Sequence, residues 1–274
     1  MIPKRSTIAL AALLGATTAA ATACGSSSSD KPPSIHVRVA HLSPDAPAVD
    51  FCVEAGTAGF TGPVLKSLGA ADGLAYPQVT KYLALDKAAY TVRLVAPNAA
   101  DCSTSLADLP DYTLPDLPGG TYATVAAVGL VGGTPAFTVK PFVDDHEVAS
   151  GKAALRFVHA SPGTPAVDVG AGSGMDFTAL FVNVAFPDAA AAGGGIDANG
   201  YLVTDPLTDA TISARVHGTT SDALVIPGVS APAGTISTAF AIGVLDSETK
   251  PLEVLACLDN DTPTGLLSTC SAVP

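Results

Sequence analysis

The stretch "HLSPDAPAVD" at residues 41–50 returns as "HASPGTPAVD" at residues 159–168. Arg38, His41, Ser43, Pro44, Pro47, Ala48, Val49 and Asp50 match Arg156, His159, Ser161, Pro162, Pro165, Ala166, Val167 and Asp168 at a constant offset of 118. The correspondence then runs on with a drifting register, as loop insertions require. "LAYP" (74–77) meets "VAFP" (184–187), and "YLALD" (82–86) meets "YLVTD" (201–205). "YTVRLV" (90–95) meets "TISARV" (211–216), and "PGGTYATVAAVG" (118–129) meets "PAGTISTAFAIG" (232–243). Each copy closes on an acidic turn, "FVDD" (142–145) and "CLDN" (257–260). The four arginines beyond the leader, Arg38, Arg93, Arg156 and Arg215, read as two paired positions. Such self-similarity marks an internal duplication.

Segments such as "IHVRVAH", "AVDFCVEA", "TYATVAAVG" and "ALRFVHA" are short, partly alternating and separated by Pro, Gly and Asp, which is the pattern of strands. Beyond the leader no stretch sustains a helical period with caps, and the alanines at 189–192 run straight into "GGGIDANG", a loop insertion. About seven strands in each copy predict an all-β chain of two tandem Ig-like antiparallel β-sandwiches.

The motif R-x-x-H-x-S-P-x-x-P-A-V-D, an apolar-aromatic-Pro turn, P-x-G-T-x-x-x-x-A-x-G and a final acidic turn resemble domain-of-unknown-function family 4397, over residues 36 to about 147 and 153 to about 260. The resemblance implies an Ig-like β fold in exported, often lipid-anchored proteins. It brings no catalytic residues.

At the N-terminus, Lys4 and Arg5 precede the soft apolar run "TIALAALLGATTAAATA", which ends in small residues before Cys24. This reads as a lipoprotein signal peptide (1–23) whose cleavage leaves Cys24 lipidated as the first mature residue. Its Ala and Thr content argues against a retained membrane span. The Ser/Pro-rich tether (24–34) follows, with roughly 15–20 Å of reach. Then come a first sandwich (35–147), a second (152–260) and a C-terminal tail (261–274). Gly25 after the cysteine fits sorting to the outer membrane of a Gram-negative cell envelope. Cleavage removes Lys4, Arg5 and no acid, so the formal net charge moves from −12 to −14. Such a surface excludes nucleic acid as a partner.

Four cysteines remain, Cys52, Cys102, Cys257 and Cys270, an even number as in exported disulfide proteins, and three connectivities are open. Neither Cys52 nor Cys102 has a counterpart in the second copy, so they are partners of each other. By the same logic Cys257 pairs with Cys270 and pins the tail.

The repeated motif carries the residue types of a catalytic site, yet Val37, Val39 and His41 share one strand face, as do Leu155, Phe157 and His159. Both imidazoles then sit on an apolar side, bonded to a backbone carbonyl or to Asp50 and Asp168. "SPDAP" and "SPGTP" are turns, and the acid Asp45 is replaced by Gly163 in the second copy. A Ser43–His41–Asp50 triad has the right types and the wrong spacing, with no G-x-S-x-G elbow. Asp144, Asp145, Asp259 and Asp261 offer oxygen ligands for calcium at matched domain ends, without the spacing of an EF-hand. The glycine-rich pieces at 170–174 and 193–195 lack the lysine and the strand-to-helix setting of a nucleotide loop.

The sequence thus predicts a non-enzymatic, lipid-anchored envelope module that uses no cofactor. It meets the membrane through its anchor and a protein or glycan ligand through loops at the sandwich ends. The alternatives are an envelope hydrolase using the histidines and aspartates of the motif, or a calcium-dependent adhesion module.

Overall fold

Alternation along the first strand explains the architecture, which a computed structural model describes for residues 33–273. In β1 (Ser34–His41), Ile35, Val37 and Val39 point into the core of the first repeat, while Arg38 and Ala40 point the other way and are equally buried. A strand buried on both faces needs cover on both. The second repeat supplies it.

The first repeat continues through β2 (Asp50–Ala55), a single helical turn α1 (Val64–Ser67), β3 (Leu83–Asp86), β4 (Tyr90–Val95), β5 (Tyr112–Thr113), β6 (Tyr122–Val128) and β7 (Thr138–Asp144). Its two sheets have the orders β3-β1-β6-β7 and β2-β4-β5. The second repeat has β8 (Ala153–His159), β9 (Val167–Ala171), β10 (Thr178–Val184), β11 (Tyr201–Thr204), β12 (Leu207–Val216), β13 (Asp222–Ala231), β14 (Ile236–Ile242), β15 (Glu253–Leu258) and β16 (Cys270–Val273). Its sheets are β11-β8-β14-β15-β16 and β10-β9-β12-β13. The chain is all-β as expected, in antiparallel sandwiches apart from one parallel pairing per repeat, β1 with β6 and β8 with β14.

The two sandwiches are fused rather than strung in tandem. Ala40, Leu42, Ala126, Val128 and Phe142 of the first repeat form one buried cluster with Val158, Phe240, Ile242, Leu255 and Cys257 of the second. Pro32–Pro274 is accordingly a single compact unit that contains every core cluster and both disulfides. Cys52 is bonded to Cys102, and Cys257 to Cys270. The tail does more than join its own repeat through β16. Leu266 O accepts from Lys81 N (2.6 Å), Ser268 N donates to Val79 O (2.9 Å), and Ser268 Oγ donates to Thr80 O (2.8 Å), so the segment straps the first repeat.

One pairing read from the sequence needs correction. Arg93 lies opposite Cys52, and the residue in that place in the second repeat is Ser213, opposite Gly170. Arg215 sits two residues further along, opposite Asp168. A slip of two residues preserves the strand face, so both guanidiniums do the same work, Arg93 bonding Asp111 over the Phe60 ring and Arg215 bonding Asp222 over the Phe177 ring. The leader, Cys24 and most of the tether lie outside the described residues.

Candidate functional site

Arg38 and Arg156 stand at the same place in the two repeats and reach across the junction in opposite directions. Arg38 Nη2 donates to the Asp259 carboxylate, Nη1 to Leu258 O (2.9 Å) and Nε to Thr124 Oγ1 (2.7 Å). Arg156 Nη2 donates to the Asp144 carboxylate, Nη1 to Val143 O (2.8 Å) and Nε to Thr238 Oγ1 (3.0 Å). Each arginine therefore grips the acid that ends the other repeat. Thr124 and Tyr82 donate to Asp144 Oδ2 (2.6 and 2.7 Å), and Thr238 and Tyr201 donate to Asp259 Oδ2 (both 2.7 Å). The guanidiniums lie over the rings of Tyr82 and Tyr201 at 4.9 and 4.5 Å.

All four charged side chains are fully buried. Burial works against the charge on Arg38, but Asp259 and then Asp144 outweigh it and hold its pKa above the ordinary value. Burial likewise pushes the Asp144 carboxyl up, and Arg156 followed by Arg38 overrides that and holds it below 3.8. Burial and the neighbouring Asp144 raise Tyr82, so the phenol stays protonated and donates. Every member of the network has its partners, the condition under which buried charge is tolerated.

This network corrects the calcium reading. Asp144 and Asp259 are not solvated turn carboxylates: Asp144 ends β7 on its buried face, Asp259 follows β15 directly, and both are buried against arginine. Asp145 accepts from Asn199 Nδ2 (2.8 Å), and Asp261 accepts from Thr269 N (2.6 Å). Among the described residues no group of three or more His, Cys, Asp or Glu is placed to hold a metal ion.

The histidines are turned inward as well. His41 and His159 are both 0% exposed. Their Nε2 atoms donate to Pro47 O (2.8 Å) and Pro165 O (3.1 Å), the carbonyls of the turns they introduce. Since a carbonyl only accepts, Nε2 carries a proton, and neither Nδ1 has a hydrogen-bond partner. Of the two partners open from the sequence, the backbone carbonyl is the one found, and Asp50 and Asp168 are engaged elsewhere. Asp50 accepts from the amides of Phe51, Leu65 and Lys66 (2.7, 2.8 and 2.8 Å) and so holds α1 against β2. Asp168 accepts from Asn183 N (2.7 Å) and His217 Nδ1 (2.8 Å).

Ser43 donates to Gly129 O (2.7 Å) and Ser161 to Gly243 O (2.8 Å), so neither hydroxyl is activated by an imidazole and no triad is assembled. Those two glycines belong to the same arrangement. Both have φ above +80°, and a Cβ on Gly129 would stand 2.3 Å from Ala136 O. Asp45, present in the first copy only, accepts from Val131 N (2.9 Å) and Gly132 N (3.0 Å), tying its turn to the loop after β6.

Sequence reasoning missed Thr124, Thr238, Tyr82 and Tyr201. Each pair is identical at the matching position of both copies, and that shared polar identity was the available signal.

Burial lowers the pKa of both imidazoles below 6.5. Between that lowered value and 6.5 the unfolded chain binds protons that the folded chain refuses, so stability falls as pH drops from about 6.5. Asp144 acts in a separate window, its contribution being complete above 3.8 and lost as pH falls below it. Denaturant unfolding from pH 7.5 to 5 should show stability declining by up to about 1.4 kcal/mol per pH unit per histidine. The profile should flatten in a His41→Asn, His159→Asn double variant; an unchanged slope there would place the titration on other groups.

A family model described as "Domain of unknown function (DUF4397)" matches residues 35–170, which span the first repeat and the opening motif of the second. No curated protein matches the chain. Among solved structures, it is similar at 11% identity to a family CBM26 module of Eubacterium rectale Amy13K in complex with maltoheptaose, covering 84% of this chain and 98% of that one with a TM-score of 0.21. A candidate cell-adhesion protein of Bacteroides fragilis matches at 11% identity over 84% and 99% of the two chains, with a TM-score of 0.20.

Proposed function

We propose, for a chain that belongs through residues 35–170 to the DUF4397 family, that it is a non-enzymatic binding module of the cell envelope, held to the outer membrane by a lipid on Cys24. The repeats 35–147 and 152–260 and the strapped tail work as one rigid body on that tether. One observation carries the reading: every side chain of the repeated motif that resembled catalytic machinery is consumed by internal hydrogen bonds or packing. The loops at the sandwich ends are left to meet a protein or glycan, above all the insertion at 189–200 and the segment around Cys102, which each occur in one copy only. The surface charge argues against nucleic acid as a partner.

Growing cells with an alkynyl palmitate tests the tether: label on the parent chain and none on Cys24→Ser is expected, and label persisting on the variant would remove the anchor. The non-enzymatic reading falls if purified protein turns over an ester, peptide or glycoside substrate and His41→Asn abolishes that turnover at an unchanged melting temperature.

A further inference from the structure

The two repeats differ in what fills the space between their sheets. In the first, the cavity between the sheets amounts to about 60 Å³. The chain leaves β5 after two residues and turns inward, and Leu114 and Leu117 bury themselves as a plug between the layers. In the second, the corresponding segment continues instead as the ten-residue β13, whose only sheet neighbour among the described residues is β12. No plug enters. The β12–β13 hairpin carries three register irregularities, which bend it. A cleft of about 300 Å³ remains between this hairpin and the β8, β14 and β15 strands.

Inward-facing Leu155, Leu180, Ile212 and Leu224 are left only partly covered, which a closed sandwich would not allow. The opposite wall is built from small residues. Ala239 stands where the first repeat has Val125, and Ala256 where it has Pro141, so the gap is written into side-chain size as well as backbone path. Among the described residues the only charged one on the lining is Arg156, whose guanidinium is turned away into the junction; of the two serines there, Ser213 Oγ donates to Gly172 O and Ser237 stands beside Ala239.

We propose that this cleft binds one uncharged aliphatic chain on the order of ten carbons long, taking about 30 Å³ for each water-sized group. The inference rests on the binding-module reading and names a ligand class for a second site apart from the loops. Branched aliphatic walls without a free cation, and with the Ser237 hydroxyl as their one unengaged donor among the described residues, select against an anionic head group, and so does the net negative charge of the chain.

The test uses the compact unit, residues 32–274, with the dye N-phenyl-1-naphthylamine as reporter and 1-dodecanol as competitor. Dodecanol is expected to displace the dye with one-to-one saturation, and dodecanoate at pH 8 at least ten-fold less well. Ala239→Leu and Ala256→Leu, which grow the floor into the cleft, should each weaken dodecanol at least ten-fold without lowering the melting temperature. Absence of saturable dodecanol displacement in the parent protein overturns the proposal whether or not the variants fold. Retention of binding in both leucine variants overturns it too, as does dye uptake that tracks dimer formation in sedimentation, because a second copy would then occupy the cleft. Such a failure leaves the module reading standing, since that reading falls only to histidine-dependent turnover.

Discussion

Arg38→Met is expected to cost the fold about 3–5 kcal/mol in denaturant unfolding at pH 7, the range for removing one partner of a buried ion pair. The cost comes less from the lost attraction than from Asp259, left charged with only Thr238 and Tyr201 to solvate it. A second substitution separates these contributions. Asp259→Asn on top of Arg38→Met removes the stranded charge, and the double variant should recover a large part of the loss, a coupling that a double-mutant cycle measures. Arg156→Met with Asp144→Asn should behave alike, since the arrangement is duplicated. The exposed pair Lys152–Asp205 is the control and should be worth under about 1 kcal/mol. A loss at Arg38 no larger than that control would mean that the junction is wet and the clamp unimportant. Because the clamp and the shared apolar cluster join the repeats, the parent protein should unfold in one transition rather than two.

Removing the Cys52–Cys102 bridge is the second large effect. The residues it joins are separated by 50 positions, and closing a loop of that length contributes about 4 kcal/mol in the chain-entropy picture. Cys52 lies on β2 and is fully buried, whereas Cys102 belongs to a long loop with little regular structure. The bridge thus restrains a segment that has few other ties, among them the bond from Arg93 Nη1 to Cys102 O (2.9 Å). A Cys52→Ala, Cys102→Ser variant should lose roughly 2–4 kcal/mol, read from the shift in denaturation midpoint at constant slope. It should also become open to proteolysis between residues 96 and 111. A loss below about 1 kcal/mol would show that the loop is held by its other contacts alone.

The all-β class and the duplication were legible because they rest on short-range regularities. Period-two alternation marks strands wherever it occurs, and "HLSPDAPAVD" announces a second copy by recurring. The burial of His41 and His159 followed from the same alternation. Alternation leaves their partners open between a backbone carbonyl and Asp50 or Asp168, and it is the turn carbonyls of Pro47 and Pro165, six residues away in the chain, that take the imidazoles. A strand pattern says which way a side chain points, but the reach of a turn decides which acceptor arrives first.

Four features of this protein were therefore determined by its sequence alone: strand content, repeat, family resemblance and the apolar setting of the motif. The tertiary structure decided what stands opposite each face. Arg38 meets Asp259 across 221 positions, and no local pattern encodes that meeting, because it depends on one sheet of each repeat packing against the other. The unfilled space in the second repeat has the same origin. Whether a segment turns inward as Leu114 and Leu117 do, or runs on as β13 does, is settled by the sheet edges and volumes available once both layers are in place.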